Sequence, residues 1–203
     1  MLKYLALGDS YTIGESVPEA DRWPNQLAAQ FKDDPALAFA KPKIIAKTGW
    51  TTAELLQGIE DAKLGEARFD LVTLLIGVNN QYRGQDFEIY EREYVELLKI
   101  ATQFALGSAQ HVIAVSIPDY GITPFAEKKE LDADKIAKEL DQYNAFAKKT
   151  ILAAGGHWVE ITKASRKQSL RKAMLAEDGL HPSGKMYKTW AKKAVPAVKK
   201  SFA

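Results

Sequence analysis

The chain has no cysteine. Disulfides, thiolate metal sites and cysteine nucleophiles are therefore excluded. An excess of one charge is also lacking: 28 Lys and Arg stand against 26 Asp and Glu, a formal net charge of +2. Nucleic-acid binders carry a dominant basic stripe, so no nucleic-acid partner is expected. No apolar run approaches the roughly 20 residues of a membrane span. The apolar start Met1-Leu2-Lys3-Tyr4-Leu5-Ala6-Leu7 is too short for the core of a secretory leader and stops at Gly8-Asp9-Ser10, so a cytoplasmic protein is expected. Repeats, low-complexity segments and linkers are missing too, and the 203 residues read as a single domain over 1–203.

The content is that of an ordinary globule, 46% hydrophobic and 27% charged, long enough to bury a core without covalent staples. Short apolar runs alternate with longer helical patterns. The runs are Leu2–Leu7, Lys43–Ala46, Phe69–Ile76, His111–Ile117 and His157–Ile161. Residues 69–76 are nearly all apolar, as in a strand buried on both faces. From Asp132 to Ala154, Ile136, Leu140, Tyr143, Phe146, Ala147 and Ile151 fall on one helical stripe; between Phe87 and Ala105, Tyr90, Tyr94, Leu97, Leu98 and Ala101 do the same. Thr51 or Thr52 caps a helix through Leu55, Leu56 and Ile59, and Ser183 caps the last helix, which Pro196 kinks or ends. The charged stretch Glu127–Lys138 reads as a helix start on the surface. Strand alternating with helix implies an α/β protein with parallel strands, right-handed crossovers and a sheet covered on both faces.

In such sheets ligands bind beyond the carboxyl ends of the strands. Four of the five ends carry polar or glycine-rich punctuation: Gly8-Asp9-Ser10, Thr48-Gly49-Trp50-Thr51, Gly77-Val78-Asn79-Asn80 and Ser116-Ile117-Pro118-Asp119. Only three histidines exist. His111 and His157 open predicted strands and so sit at the opposite, amino edge. His181, in Glu177-Asp178-Gly179-Leu180-His181-Pro182-Ser183, is the one placed to act as a base at the carboxyl edge. One tight turn brings Asp178 to its Nδ1, which leaves Nε2 for a serine. Ser10 is the candidate nucleophile. The Gly49 N–H, the Asn79 amide and the Ser10 N–H are candidate donors to an oxyanion. Each motif alone has a plainer reading: a helix cap for Ser10, a turn for Gly49, an Asx turn for Asn79, a turn aspartate and a loop histidine for Asp178 and His181. No Gly-x-Ser-x-Gly is present, so this is not the nucleophile elbow of the α/β-hydrolases.

The conjunction of Gly8-Asp9-Ser10, Gly49, Gly77-Val78-Asn79-Asn80 and Asp178-Gly179-Leu180-His181-Pro182, in that order over residues 3 to about 195, resembles the SGNH (GDSL-type) hydrolase family. The resemblance implies a three-layer α/β/α, flavodoxin-like fold with a five-stranded parallel sheet. It also implies an esterase, lipase, thioesterase or carbohydrate deacetylase that needs no metal or cofactor. Ser10 would be the nucleophile, His181 the base, Asp178 its partner, and Ser10, Gly49 and Asn79 the oxyanion hole. The modest chain length, with no obvious lid insertion, favours a small-molecule ester with a short acyl group, O-acetyl groups of carbohydrates included. The family's third motif commonly reads Gly-x-Asn-Asp; Asn80 replaces that aspartate, which touches either the support of the loop or a substrate contact.

Trp50, Asn80, Tyr120 and Phe125 are the further substrate-binding candidates. Ile122 lies in the same segment as the last two, and plain packing is the other reading of that segment. Trp23, Trp158 and Trp190 read as packing residues, and Lys192, Lys193, Lys199 and Lys200 as a solvated helix face. Gly179-Leu180-His181-Pro182-Ser183-Gly184-Lys185-Met186 approaches a phosphate loop, but Met186 cannot hold magnesium and no apolar strand precedes it. Two alternatives use the same site differently: an acyltransferase or thioesterase, and a catalytically inactive binding module.

Overall fold

The computed structural model describes residues 1–168 and 172–203. Five parallel strands form one sheet: β1 (Tyr4–Gly8), β2 (Lys43–Ala46), β3 (Leu71–Leu75), β4 (Val112–Val115) and β5 (His157–Val159), in the order β2-β1-β3-β4-β5. β1 and β3 pair from Tyr4 with Leu71 through Gly8 with Leu75, and every residue of both is buried. That matches their unbroken apolar sequence, because each face of the sheet is covered. Helices α1 (Ser10–Ile13), α2 (Trp23–Ala29) and α9 (Gly184–Ser201) pack together on one side. Helices α3 (Thr52–Asp61), α5 (Phe87–Phe104) and α7 (Ala133–Ala153) pack on the other, with the short α4 (Val78–Tyr82) against α5 and α7. This is the three-layer α/β/α arrangement. Helices α6 (Pro124–Lys128) and α8 (Thr162–Gln168) follow β4 and β5.

Most strands are shorter than their apolar runs. Residues 117 and 161 leave the ladder because side chains take their N–H groups: Asn144 Oδ1 accepts the Ile117 N–H at 2.7 Å and Ser116 Oγ accepts the Ile161 N–H at 2.8 Å. At the start of the chain, Leu2 pairs with Phe39 in an isolated bridge instead of extending β1. Thr51, not Thr52, caps α3, in a reciprocal capping box with Glu54. Ser183 and Asp132 cap α9 and α7. The charged stretch after Glu127 holds the end of α6, a turn and the start of α7. Pro196 does not end α9, which runs on to Ser201. The helix forgoes one backbone hydrogen bond there, and the buried Ala194 and Val198 on either side hold its apolar face to the core.

The strand order reverses between β1 and β3. The crevice outside their carboxyl ends is the switch point at which open α/β sheets bind ligands.

Candidate active site

Gly8 ends β1, and a Cβ there would lie 2.2 Å from Thr12 Oγ1 and 2.4 Å from the Leu75 carbonyl oxygen. Only glycine lets the chain turn this tightly into α1. Asp9 caps that helix, its Oδ1 accepting the Tyr11 N–H at 3.0 Å. Ser10 is the first helical residue and only 5% exposed. Burial pushes the Asp9 carboxyl up to about 7, only partly offset by the Tyr11 N–H, and Asp9 Oδ2 has no hydrogen-bond partner among the described residues.

Ser10, Gly49, Asn79 and His181 line one cleft at the carboxyl edge of the sheet. Gly49 follows β2 with φ +87°, and the nearest atom to a Cβ there would be 3.7 Å away, on Arg83. The requirement for glycine is thus the left-handed backbone rather than crowding. Asn79 stands in the first turn of α4, where its Nδ2 donates to the Trp50 carbonyl at 2.9 Å, tying the β2 and β3 loops together. Asp178 Oδ2 lies 2.6 Å from His181 Nδ1, and Asp178 Oδ1 accepts the N–H groups of Leu180 and His181, both at 2.9 Å. Burial pushes the Asp178 carboxyl up, but the imidazole, the two N–H groups and the Ser16 hydroxyl outweigh it and hold it down at about 2. It is therefore ionised throughout the neutral range. The Tyr11 ring packs edge-on to the imidazole at 5.7 Å.

Residues 6–189 match the family described as GDSL-like Lipase/Acylhydrolase. The chain belongs to this family. Its members are SGNH-type esterases and lipases, and this GDSL-like hydrolase is a carboxylic ester hydrolase by class. No curated protein matches the sequence. Solved structures share its fold: TesA, at 16% identity and a TM-score of 0.75, covers 98% of this chain and 99% of its own. The psychrotrophic esterase EstA from Pseudoalteromonas sp., inhibited by monoethylphosphonate, has 17% identity and a TM-score of 0.70 over 100% and 99%. The acetyl-xylooligosaccharide esterase Axe2 from Geobacillus has 19% identity and a TM-score of 0.71 over 97% and 94%.

Of the four substrate-binding candidates in the GDSL-like hydrolase, Tyr120 and Phe125 line the cleft and Trp50 and Asn80 do not. The Trp50 ring lies on α3, where a Cβ on Gly58 would fall 2.1 Å from it. Asn80 is fully buried. It accepts the Thr52 N–H at 3.1 Å and donates to Thr52 Oγ1 at 2.6 Å and to Gln85 Oε1 at 3.0 Å. Thr52 Oγ1 in turn donates to Glu93 Oε2 at 2.5 Å. An aspartate at residue 80 would offer only acceptors. The amide reverses one bond, and Glu93 supplies the missing acceptor for the hydroxyl. Asn80 supports the loop from behind.

Sequence reasoning missed five contributors. Tyr82, three positions beyond Asn79 and hence on the same helical face, is 48% exposed at the rim of the cleft, its ring 5.9 Å from Tyr120 and 6.2 Å from Phe125. Leu180 and Tyr11 also line the cleft. Arg83 donates to the Gly49 carbonyl at 2.5 Å and pairs with Glu54 at 3.2 Å, so it holds the Gly49 turn. Asp119 pairs with Arg166 at 2.8 Å and accepts the Gly121 N–H at 2.8 Å, which steadies the segment carrying Tyr120. His157 lines a separate groove with Lys148, Lys193 and Lys200. Among the described residues no group of three or more His, Asp or Glu side chains is placed to hold a metal ion, and no helix is long and apolar enough to cross a membrane.

Proposed function

We propose that this hydrolase cleaves short-chain acyl esters, O-acetyl groups of carbohydrates among them, through an acyl-enzyme formed on Ser10. The observation that carries the reading is the convergence of Ser10, Gly49, Asn79 and His181 on one cleft, with Asp178 2.6 Å behind the imidazole. His181 Nε2 takes the Ser10 proton as Oγ attacks the ester carbonyl. The tetrahedral oxyanion lies among the Ser10 N–H, the Gly49 N–H and the second Asn79 amide hydrogen. Its collapse breaks the bond to the alcohol, which leaves with the proton from His181. Water then enters by the same route and frees Ser10. Asp178, ionised and doubly held by backbone N–H groups, keeps Nδ1 protonated and stabilises the imidazolium.

The short acyl group is supported by the size of the cleft, about 130 Å³, walled by Val78, Tyr82, Tyr120 and Phe125. Cavities of about 150 Å³ hold a benzene-sized molecule. The carbohydrate arm is supported by the shared fold with an acetyl-xylooligosaccharide esterase. An ester panel from acetyl to long acyl, with acetylated sugars, tests both. Ser10→Ala should abolish hydrolysis and labelling by a serine-directed phosphonate without lowering the melting temperature. Wild-type activity in that variant would refute the assignment, and an unlabelled wild-type protein would point to an inactive binding module. Added alcohols and thioester substrates distinguish hydrolysis of oxygen esters from acyl transfer and thioester cleavage.

A further inference from the structure

The turn after α1 touches both halves of the cleft. Gly14 caps α1 in the left-handed conformation, and two residues later Ser16 adopts it again, at φ 63°. Glycine takes that conformation freely and serine does not. Backbone strain of this kind persists where the surroundings over-determine it, and it clusters at functional sites. Here the surroundings are two side-chain bonds pointing opposite ways. Glu15 Oε2 accepts from Thr48 Oγ1, beside Gly49. The Ser16 hydroxyl donates to Asp178 Oδ2 at 2.9 Å, the same oxygen that faces His181 Nδ1. Of the hydrogen bonds to this carboxylate among the described residues, those from Leu180 and His181 come from its own turn, and Ser16 alone reaches it from the other end of the chain.

We infer that Ser16 is a positioning residue, which fixes Asp178 Oδ2 against the His181 imidazole from the turn after α1. The inference rests on the proposed roles of Ser10, His181 and Asp178. Two bonds from residues 180 and 181 set Oδ1, but a carboxylate can still swing about that anchor. A donor to Oδ2 from a separate, anchored turn removes that freedom. Glu15 anchors the turn on the oxyanion side, so the separation between Gly49 and Asp178 is set by two adjacent residues. A charge-assisted bond is roughly twice as strong as a neutral one. Ser16 is exposed, however, and water competes for the same oxygen, so a moderate effect on turnover is expected.

The test uses Ser16→Ala and Ser16→Gly, with Ser10→Ala beside them, on an activated acetyl ester. Both Ser16 variants lose the hydroxyl, but glycine also relieves the left-handed backbone, so their melting temperatures should diverge, with Ser16→Gly above Ser16→Ala. Expected is a fall in kcat of about 3- to 10-fold in both, with KM within about twofold, as for a group that acts on the transition state. In an Asp178→Asn background, Ser16→Ala should cost nothing further, because the effect passes through that carboxylate. A wild-type kcat in either variant, a kcat that recovers with melting temperature in Ser16→Gly, or an undiminished loss in the Asp178→Asn background overturns the inference. An active Ser10→Ala would bring down the site reading and this inference together. An inactive one beside an unaffected Ser16→Ala would remove only the role of Ser16.

Discussion

Asn80 and Thr52 hold each other at two points, backbone N–H to Oδ1 at 3.1 Å and Nδ2 to hydroxyl at 2.6 Å. The pair fastens α4, which carries Asn79, to the start of α3. The hydroxyl then has a hydrogen to give, and Glu93 receives it. Restoring the family's usual aspartate should therefore harm this protein. Asn80→Asp removes the donor to Thr52 and Gln85 and sets a buried carboxylate near Glu93. A destabilisation of about 1–3 kcal/mol is expected, the range for a buried polar group left without its partner. Burial and Glu93 raise this carboxyl, so the penalty should shrink as the pH falls towards about 4, where the unfolded chain also takes up the proton. Urea unfolding at several pH values checks this, and adding Glu93→Gln should recover part of the loss. An Asn80→Asp protein as stable as the wild type would show that the network is not the reason for the asparagine.

A second expectation concerns Asp9. Its carboxyl is raised from 3.8 to about 7 by burial, so the folded protein holds that proton more tightly than the unfolded chain does. The sign follows: no penalty exists below about pH 4, stability declines as pH rises from about 4 to 7, and the full penalty applies above. At 1.36 kcal/mol per pH unit, the total is about 4 kcal/mol. Asn at this position keeps a cap for α1 and has no charge to bury. Calorimetry from pH 4 to 8 should show Asp9→Asn gaining on the wild type as pH rises. Parallel melting curves would sink the idea.

The wall of the cleft makes a third expectation. Phe125 and Tyr82 close one side of the pocket. Phe125→Ala should open it to longer acyl groups. Each further methylene taken out of water contributes about 0.8 kcal/mol, roughly fourfold in kcat/KM. Butanoyl has two methylenes more than acetyl, so the ratio of butanoyl to acetyl ester hydrolysis should rise by about an order of magnitude. An unchanged ratio would mean that the acyl chain lies elsewhere.

The layer order and the carboxyl-edge cluster were legible because they rest on local patterns: apolar runs of strand length, helical stripes, and turn residues at strand ends. The short motifs could be placed at an edge of the sheet, but not oriented. Asn79 and Asn80 are adjacent on a helix, so they point in different directions; one meets the cleft and the other the interior. Trp50 follows Gly49 in sequence, yet its ring lies on α3, a choice made by the space above Gly58. Strand ends were overrun because the side chains that stop them, Asn144 and Ser116, lie far away in sequence. Tyr82 had a signal, its three-residue spacing from Asn79. Ser16 had none, because what singles it out is a backbone angle and a partner 162 residues away.

That separation has a consequence for how the protein is made. The bonds that complete the site join the first 16 residues to the last quarter of the chain, and Asn79 comes from between them. Contacts of high sequence separation form late, because closing the intervening chain costs entropy before the contacts form. On refolding, helical signal should return before ester cleavage does. Recovery of activity then reports the closing of the whole topology, and no fragment lacking either terminus can carry the site.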